Sequence, residues 1–219
     1  EYIHSYELNY KKNIGEQVLQ SSLFYRSRKD KIERLRVPYE AGVTLDSMAN
    51  VGNDHALGME LSGQFIVNKW WNLNVNGNVY YYKVVNNINS GGKEETSTNY
   101  DITVNNLLRI CKNTRIQLDG NFVGPSVTTQ GRSDSFWFVN LAIRQQWFGS
   151  NLQSTLSFRD IFNSARYKND ITTPNLESVT HIRPKFPVIT LSISYTFNHF
   201  KRSSQNSRDN RDLFEGVNH

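Results

Sequence analysis

A period of two runs through most of this 219-residue chain, over stretches longer than soluble strands usually reach. From Trp71 to Tyr81, Leu73, Val75, Gly77, Val79 and Tyr81 share one face, and Asn72, Asn74, Asn76 and Asn78 share the other. Successive side chains of a strand point to opposite sides, so this alternation predicts β-structure with one apolar and one wet face. Leu57, Met59, Leu61, Phe65 and Val67 oppose Gly58, Glu60, Ser62 and Gln64, with only Gly63 interrupting the apolar set. The same pattern recurs over 115–122, 137–146, 152–159 and 189–197. Three less regular strands are expected over 2–11, 17–33 and 99–110, where Asn106 sits among Ile102, Val104, Leu108 and Ile110. That makes about nine strands, and no segment carries a capped 3.6-residue period.

Connections are expected to alternate in length. Short turns fall near 12–16, 68–70, 111–114 and 148–150; long polar loops fall near 37–54, 85–98, 124–133 and 161–185. In an up-and-down meander this places every tight turn at one end and every long loop at the other, unlike a Greek-key sandwich. Strands of about 10 to 14 residues suit a tilted bilayer crossing, which needs roughly 9 to 11. Which face lies inside stays open on periodicity alone; length, alternation and loop asymmetry favour the polar face toward a watery lumen. Aromatic residues at strand ends (Trp70, Trp71, Tyr80–Tyr82, Phe136, Trp137, Trp147, Phe148) fit interfacial girdles, although strands enrich aromatics anyway.

Composition removes several classes. The chain is 12% aromatic and 37% hydrophobic, too rich in core formers for a disordered chain. Mean hydropathy is −0.58 and no apolar run exceeds about four residues, against roughly 20 for a membrane-spanning helix. The single Cys111 makes no internal disulfide, and no Cys/His cluster has zinc spacing. The net charge of +5 is spread among interspersed acids, which gives no indication of a nucleic-acid partner.

The segments Asn50-Val51-Gly52 with Leu57-Gly58-Met59-Glu60-Leu61-Ser62-Gly63, Phe158-Arg159-Asp160-Ile161-Phe162-Asn163, Lys69-Trp70-Trp71-Asn72-Leu73, and Pro187 to Phe197 ending Ser194-Tyr195-Thr196-Phe197 resemble late barrel strands of TonB-dependent outer-membrane receptors. The set is most similar to the Bacteroides-type outer-membrane β-barrel family. The resemblance spans Ser5 to Phe197 and implies an all-β antiparallel up-and-down meander forming part of a transmembrane barrel in the bacterial outer membrane. It implies nutrient uptake, with substrate specificity in the long loops. Tyr195 and Phe197 would form the barrel-closing signature read by the assembly machinery. The implied partners are outer-membrane lipid and lipopolysaccharide, the remainder of the barrel, TonB through an N-terminal part, and a surface lipoprotein. The plug and TonB box of that family are not in this sequence, and Asn198 to His219 follow the terminal aromatic.

The expected organisation is therefore 1–197 as the C-terminal part of the barrel and 198–219, with Lys201, Arg202, Arg208 and Arg211, as a polar periplasmic tail. Strand parity agrees: nine strands counted back from a periplasmic Phe197 leave Glu1 outside the cell, so the chain is expected to be the last part of a barrel of about 22 strands. The chain opens without Met, basic n-region or apolar h-region, and Glu1 is expected to be a processed or internal boundary.

Chemistry is sparse. His4, His55, His181, His199 and His219 lack ligand spacing, and Glu94-Glu95 in a Gly/Ser loop reads as solvated rather than calcium-binding. No nucleophile–base motif occurs, so neither a catalytic site nor a cofactor is expected. Arg26, Arg28, Lys29, Lys31, Arg34 and Arg36 read as an exposed strand, with contact to lipopolysaccharide or substrate as the alternative. Glu60, Asp119, Arg144 and Arg159 are expected to face the lumen and pair across strands, or else to line a substrate path. Two rival functions remain at this point: an outer-membrane barrel with a structural or secretion-complex role, and a soluble β-sandwich binding module.

Overall fold

The computed structural model describes residues 1–86 and 93–197. Nine antiparallel strands form one sheet: β1 (Tyr2–Ile14), β2 (Gln17–Glu40), β3 (Val43–Asn68), β4 (Trp71–Asn86), β5 (Lys93–Arg109), β6 (Thr114–Val123), β9 (Phe136–Trp147), β10 (Leu152–Arg159) and β13 (Val188–Tyr195). Every neighbour in the wall is the next wall strand along the chain, so the meander expected from the alternation is present. β1 and β13 are its two edges. The only helical element among the described residues is a 3-10 turn at Phe148–Ser150.

Register carries the period of two across the whole wall. Leu8 lies opposite Leu23, Leu23 opposite Met59, Met59 opposite Val79 and Val79 opposite Tyr100. Lower down, Trp71, Leu108, Ile116, Ile143, Leu156 and Leu191 form another unbroken row. No second layer covers this face among the described residues: Leu191 is 62% and Ile193 67% exposed. A soluble sandwich buries such a face, so the exposure favours a lipid-facing wall.

Two interruptions of the apolar face, Asn106 and Gly63, are accommodated by their neighbours. Asn106 lies between Leu73 and Leu118, where its Oδ1 accepts the Trp71 indole N–H at 3.1 Å and its Nδ2 donates to the Leu118 carbonyl at 3.3 Å. An amide facing hydrocarbon without partners would be costly, and here both of its ends are used. At Gly63 the Phe65 ring lies over the backbone, so a Cβ would meet its Cε2 at 2.5 Å. Glycine lets an aromatic ring cover the strand.

The apolar band has girdles at both ends. Trp71, Trp147 and Tyr195 lie beside the tight turns, and Tyr6, Tyr25 and Tyr81 lie in register rows at the other end. Trp71 to Tyr81 spans ten residue steps, about 34 Å along the strand and about 24 Å at a 45° tilt, matching the roughly 25 Å of an outer-membrane apolar band. The short turns fall where expected. At one of them Asn68 Oδ1 accepts the backbone N–H groups of Trp70 and Trp71 at 3.0 and 2.9 Å.

The long loops depart from expectation. Residues 37–54 are strand: β2 runs 24 residues and β3 26, joined at Ala41-Gly42 with Gly42 at φ +76. Residues 85–98 likewise belong mostly to β4 and β5, with 87–92 outside the described residues. The segments 124–133 and 161–185 contain β7 (Ser126–Val127), β8 (Gly131–Ser133), β11 (Tyr167–Thr173) and β12 (Leu176–Ile182), paired as a second sheet in the order β12-β11-β8-β7. Wall strands range from 8 to 26 residues, wider than the expected 10 to 14. In β2 and β3 the alternation breaks for a local reason. Asp30 at φ +53 and Gly52 at φ +137 lie at register shifts between Arg28 and Ile32, and a one-residue slip exchanges the faces, so the period does not run continuously through the bulge.

Candidate functional site: the polar wall and the sheet that caps it

The polar face is lined by alternate residues of the same strands. Asn74, Asn76 and Asn78 of β4 lie opposite Gln64, Ser62 and Glu60 of β3 and Asn105, Thr103 and Asp101 of β5. Arg26 of β2 donates to Glu7 Oε1 at 3.0 Å, approaches Glu60 at 3.7 Å, and stacks over the Phe24 ring at 4.6 Å. These are exposed pairs, where solvent screens the attraction. Of the four charges expected to pair across strands, Glu60 does so. Asp119 accepts instead from Gln117 Nε2 at 2.8 Å. Arg144 and Arg159 have no carboxylate within 4 Å among the described residues, because register sets Arg144 between Arg115 and Thr155 and Arg159 beside Val188.

Above the tyrosine girdle the wall is tied by a buried hub. Asp54, only 2% exposed, accepts Arg28 Nε at 2.8 Å and Nη2 at 2.6 Å, and its Oδ2 also accepts the Tyr82 hydroxyl at 2.8 Å. Lys31 Nζ donates to Tyr82 Oη at 3.0 Å and lies 3.5 Å from Asp54 and 3.0 Å from Glu33. Burial pushes the Asp54 carboxyl up, but the hydrogen bonds from Arg28 and Tyr82 outweigh it and hold it below the ordinary carboxylate range. Higher on the hairpin, Asp46 takes Arg36 Nε at 2.8 Å and Arg34 Nη2 at 2.7 Å; the Arg36 hydrogen bond holds that carboxyl low as well. The basic run is thus a strand, as expected, but Arg26, Arg28, Lys31, Arg34 and Arg36 each hold a carboxylate.

The second sheet packs onto the polar side of this region. Val127 of β7 joins Tyr82 and Val84 in a buried cluster flanked by Ala56 and Tyr80, and the Phe136 and Tyr167 rings meet at 4.3 Å. Gln130, in the β7–β8 turn, acts as a strand mimic: its Oε1 accepts the Arg36 N–H at 2.9 Å and its Nε2 donates to the Arg36 carbonyl at 2.9 Å. Its own carbonyl accepts the Thr172 N–H of β11 at 2.8 Å. One side chain therefore links the tall hairpin to the loop-borne sheet. Gln130→Ala is expected to leave wall assembly unchanged and to raise amide exchange at Arg36 about 5- to 10-fold, a loss of roughly 1 kcal/mol, read by hydrogen-exchange mass spectrometry.

The return path into that sheet begins at the Phe158–Asn163 motif. Asp160 and Asn163 both take left-handed backbone, φ +48 and +52, where Asp and Asn are tolerated best among non-glycine residues. Asp160 Oδ1 accepts Ser164 N and Oγ at 2.9 and 3.0 Å, Oδ2 accepts Ala165 N at 2.9 Å, and the Asp160 N–H donates to Asn140 Oδ1 at 3.0 Å. Asp160→Ala strands several of these donors and is expected to cost about 1 to 3 kcal/mol of local stability, seen as new protease cleavage within 161–166; Asp160→Asn should retain most of it.

The other residues singled out in the sequence are dispersed. Tyr195 ends β13 opposite Leu152, and its ring meets Phe197 edge-on at 4.7 Å. His55 Nδ1 lies 3.0 Å from the Tyr25 hydroxyl; His4 and His181 lie on β1 and β12, and His199 and His219 fall outside the described residues, as do Lys201, Arg202, Arg208 and Arg211. Glu94 is not in a loop but on β5, 2.6 Å from Lys83 Nζ.

Comparison with known proteins agrees with this architecture. The model of the outer membrane protein beta-barrel family matches residues 1–195. Among solved structures, the ferric yersiniabactin uptake receptor FyuA of Yersinia pestis superposes with a TM-score of 0.60 at 17% identity, over 87% of this chain and 29% of the receptor. The FrpB iron transporter of Neisseria meningitidis superposes with a TM-score of 0.56 at 15% identity, over 88% of this chain and 31% of the transporter. No curated protein sequence matches. The chain thus spans about a third of the length of either neighbour, and the fold is that of receptor-type outer-membrane barrels, as the motif resemblance implied. Its apolar face belongs against outer-membrane lipid rather than inside a soluble sandwich, and the chain belongs to the outer membrane protein β-barrel family.

Proposed function

We propose that residues 1–197 form the C-terminal part of a larger receptor-type barrel that takes a nutrient across the outer membrane, driven through TonB by an N-terminal part of the same protein. The observation that carries this reading is a polar wall overhung by a hydrogen-bonded sheet of its own loops, on a fold shared with an uptake receptor and an iron transporter. Two unpaired sheet edges support the larger barrel, since an open edge leaves backbone groups without partners. Tyr195 and Phe197 serve as the closing signal for barrel assembly, and 198–219 as a polar periplasmic extension. Lipid and lipopolysaccharide contact the apolar face, and a surface lipoprotein is a further partner. The wall offers binding and ion-pairing groups, and the reading assigns it no catalytic step.

The test is uptake in source cells lacking the full-length gene, with radiolabelled ferric chelates, glycans and peptides supplied in turn. Loss of one class of uptake, and its loss in wild-type cells when the proton gradient is collapsed, is the expected result. Unchanged uptake of all three, with the barrel still present in wild-type outer membrane, would sink transport in favour of the structural or secretion role.

A further inference from the structure

Next to the buried hub, the polar face holds a cleft of about 340 Å³ in which an aromatic ring stands beside amide and carboxylate groups. Gly58 makes room for it. It lies in register between Phe24 and Tyr80, and a Cβ there would strike the Tyr80 Cβ and the Val79 carbonyl, so glycine is what lets the two rings approach to 6.1 Å across β3. Tyr82 meets Tyr80 edge-on at 6.5 Å. Phe24 and Tyr82 are buried and Tyr80 is half-buried, so Tyr80 is a clamped ring with part of its surface left in the cleft. One row lower, Glu60 lies opposite Asn78, whose Oδ1 is buried without a hydrogen-bond partner among the described residues. The same two residues line a second recess of about 540 Å³, which continues down the wall past Ser22, Ser62 and Asn76.

A buried amide oxygen left unpaired carries a cost that a hydroxyl donor removes. The surrounding charges select the class of donor. Arg28 is held by Asp54, and Arg26 by Glu7 and Glu60, so neither guanidinium of the cleft is spare for an anionic chelate. Over the two recesses together, Lys11, Arg26 and Arg28 are balanced by Asp54, Glu60 and Asp101. The cleft offers a peptide no strand edge either, because Phe24, Gly58 and Tyr80 each lie between two partner strands. A sugar ring meets all of these conditions: it is uncharged, it has an apolar C–H face that packs on an aromatic ring, and its rim of hydroxyls donates and accepts. An apolar surface with a few fixed polar groups is also how small-molecule sites set orientation. We infer that this cleft is a subsite for an uncharged oligosaccharide. Tyr80 packs on the sugar face, Asn78 and Glu60 accept its hydroxyls, and the lower recess takes the next sugar of the chain. This assignment rests on the proposed uptake role and gives that role its substrate class.

The test is binding of dye-labelled neutral gluco-, galacto-, manno- and xylo-oligosaccharides to the full-length protein in lipid nanodiscs, followed by fluorescence anisotropy. Saturable binding of at least one of them is expected. Asn78→Ala should weaken it about 10-fold and leave heat-dependent gel mobility unchanged, because the oxygen removed makes no hydrogen bond within the described wall. Tyr80→Leu should weaken it by a similar factor, and Tyr80→Phe, which keeps the ring, should not. Gln117→Ala is the control: its amide bonds Asp119 two strands from the cleft, and it should bind as wild type does. Binding unaltered by either Asn78→Ala or Tyr80→Leu overturns the subsite, and binding of none of the oligosaccharides overturns the substrate class. Uptake in source cells separates that failure from a failure of transport. A ferric chelate or peptide taken up through the protein while the sugars are not removes the cleft assignment alone, whereas loss of the gene with no change in any uptake removes the transport role with it.

Discussion

Val75→Arg is expected to lower the stability of the barrel by about 2 to 4 kcal/mol, the cost of a guanidinium facing hydrocarbon near the middle of an outer-membrane strand. Val75 sits four residues from Trp71 and six from Tyr81, between the two girdles, with Gly63 and Val104 as its cross-strand neighbours. No acid lies in that row, and the nearest ends of the apolar band are too far for a full escape to the headgroups. Its sequence neighbour is the control. Asn76 faces the polar side opposite Ser62 and Thr103, so Asn76→Arg should change stability by no more than about 0.5 kcal/mol. The measurement is equilibrium unfolding of the full-length protein in lipid vesicles, with its level in the outer membrane as a second readout. Equal tolerance of both variants, or greater sensitivity at Asn76, would invert the faces assigned here.

How much of this was legible in the sequence depends on where one face met lipid. Between the girdles the alternation is dictated by the solvent on each side, so residues such as Leu73, Val75 and Val79 revealed strand, face and register class directly. Even Asn106 was visible as a breach, though its bonds to Trp71 and Leu118 were not. Above the tyrosines the outer side leaves the lipid and the second sheet packs on the polar side, so side-chain identity no longer encodes orientation. Residues 37–54 therefore read as loop although they belong to the tallest strands, with Val51 buried.

Long-range pairings left no local trace at all. Gln130 meets Arg36 across 94 residues of sequence, and nothing in Thr129-Gln130-Gly131 announces an amide that copies a strand edge. Asp54 likewise sits in a polar run where any acid looks solvated, and only the register with Arg28 and Tyr82 reveals it as a hub. The assumption that lumen charges pair across strands succeeded for Glu60 and failed for Arg144, because pairing depends on a register that composition does not contain.

The hub gives the second large effect. Asp54→Ala removes the shared acceptor of Arg28 and Tyr82 and leaves a part-buried guanidinium without its partner. Breaking a buried pair costs about 3 to 5 kcal/mol, and the low end applies because the Arg28 side chain remains 36% exposed and can recruit water. Asp54 joins β2 to β3 at the bulge, so the loss should appear as opening of the tall hairpin rather than of the membrane-level wall. A change of about 3 kcal/mol raises the open population, and with it cleavage near Arg34 and Arg36, on the order of 100-fold in limited trypsin digestion of the full-length protein. The pH dependence has a fixed sign. The folded carboxyl titrates below its unfolded value of about 3.9, so its contribution is complete above that pH and is lost as pH falls through the lower, folded value. Wild-type hairpin opening, followed with pepsin, should therefore accelerate on acidification only below about pH 4, whereas Asp54→Asn should already be open at neutral pH and lack that step. A wild-type hairpin that stays closed at acid pH, or an Asp54→Ala variant cleaved no faster than wild type, would show that the tall strands are held by their ladder and by Gln130, without the buried acid.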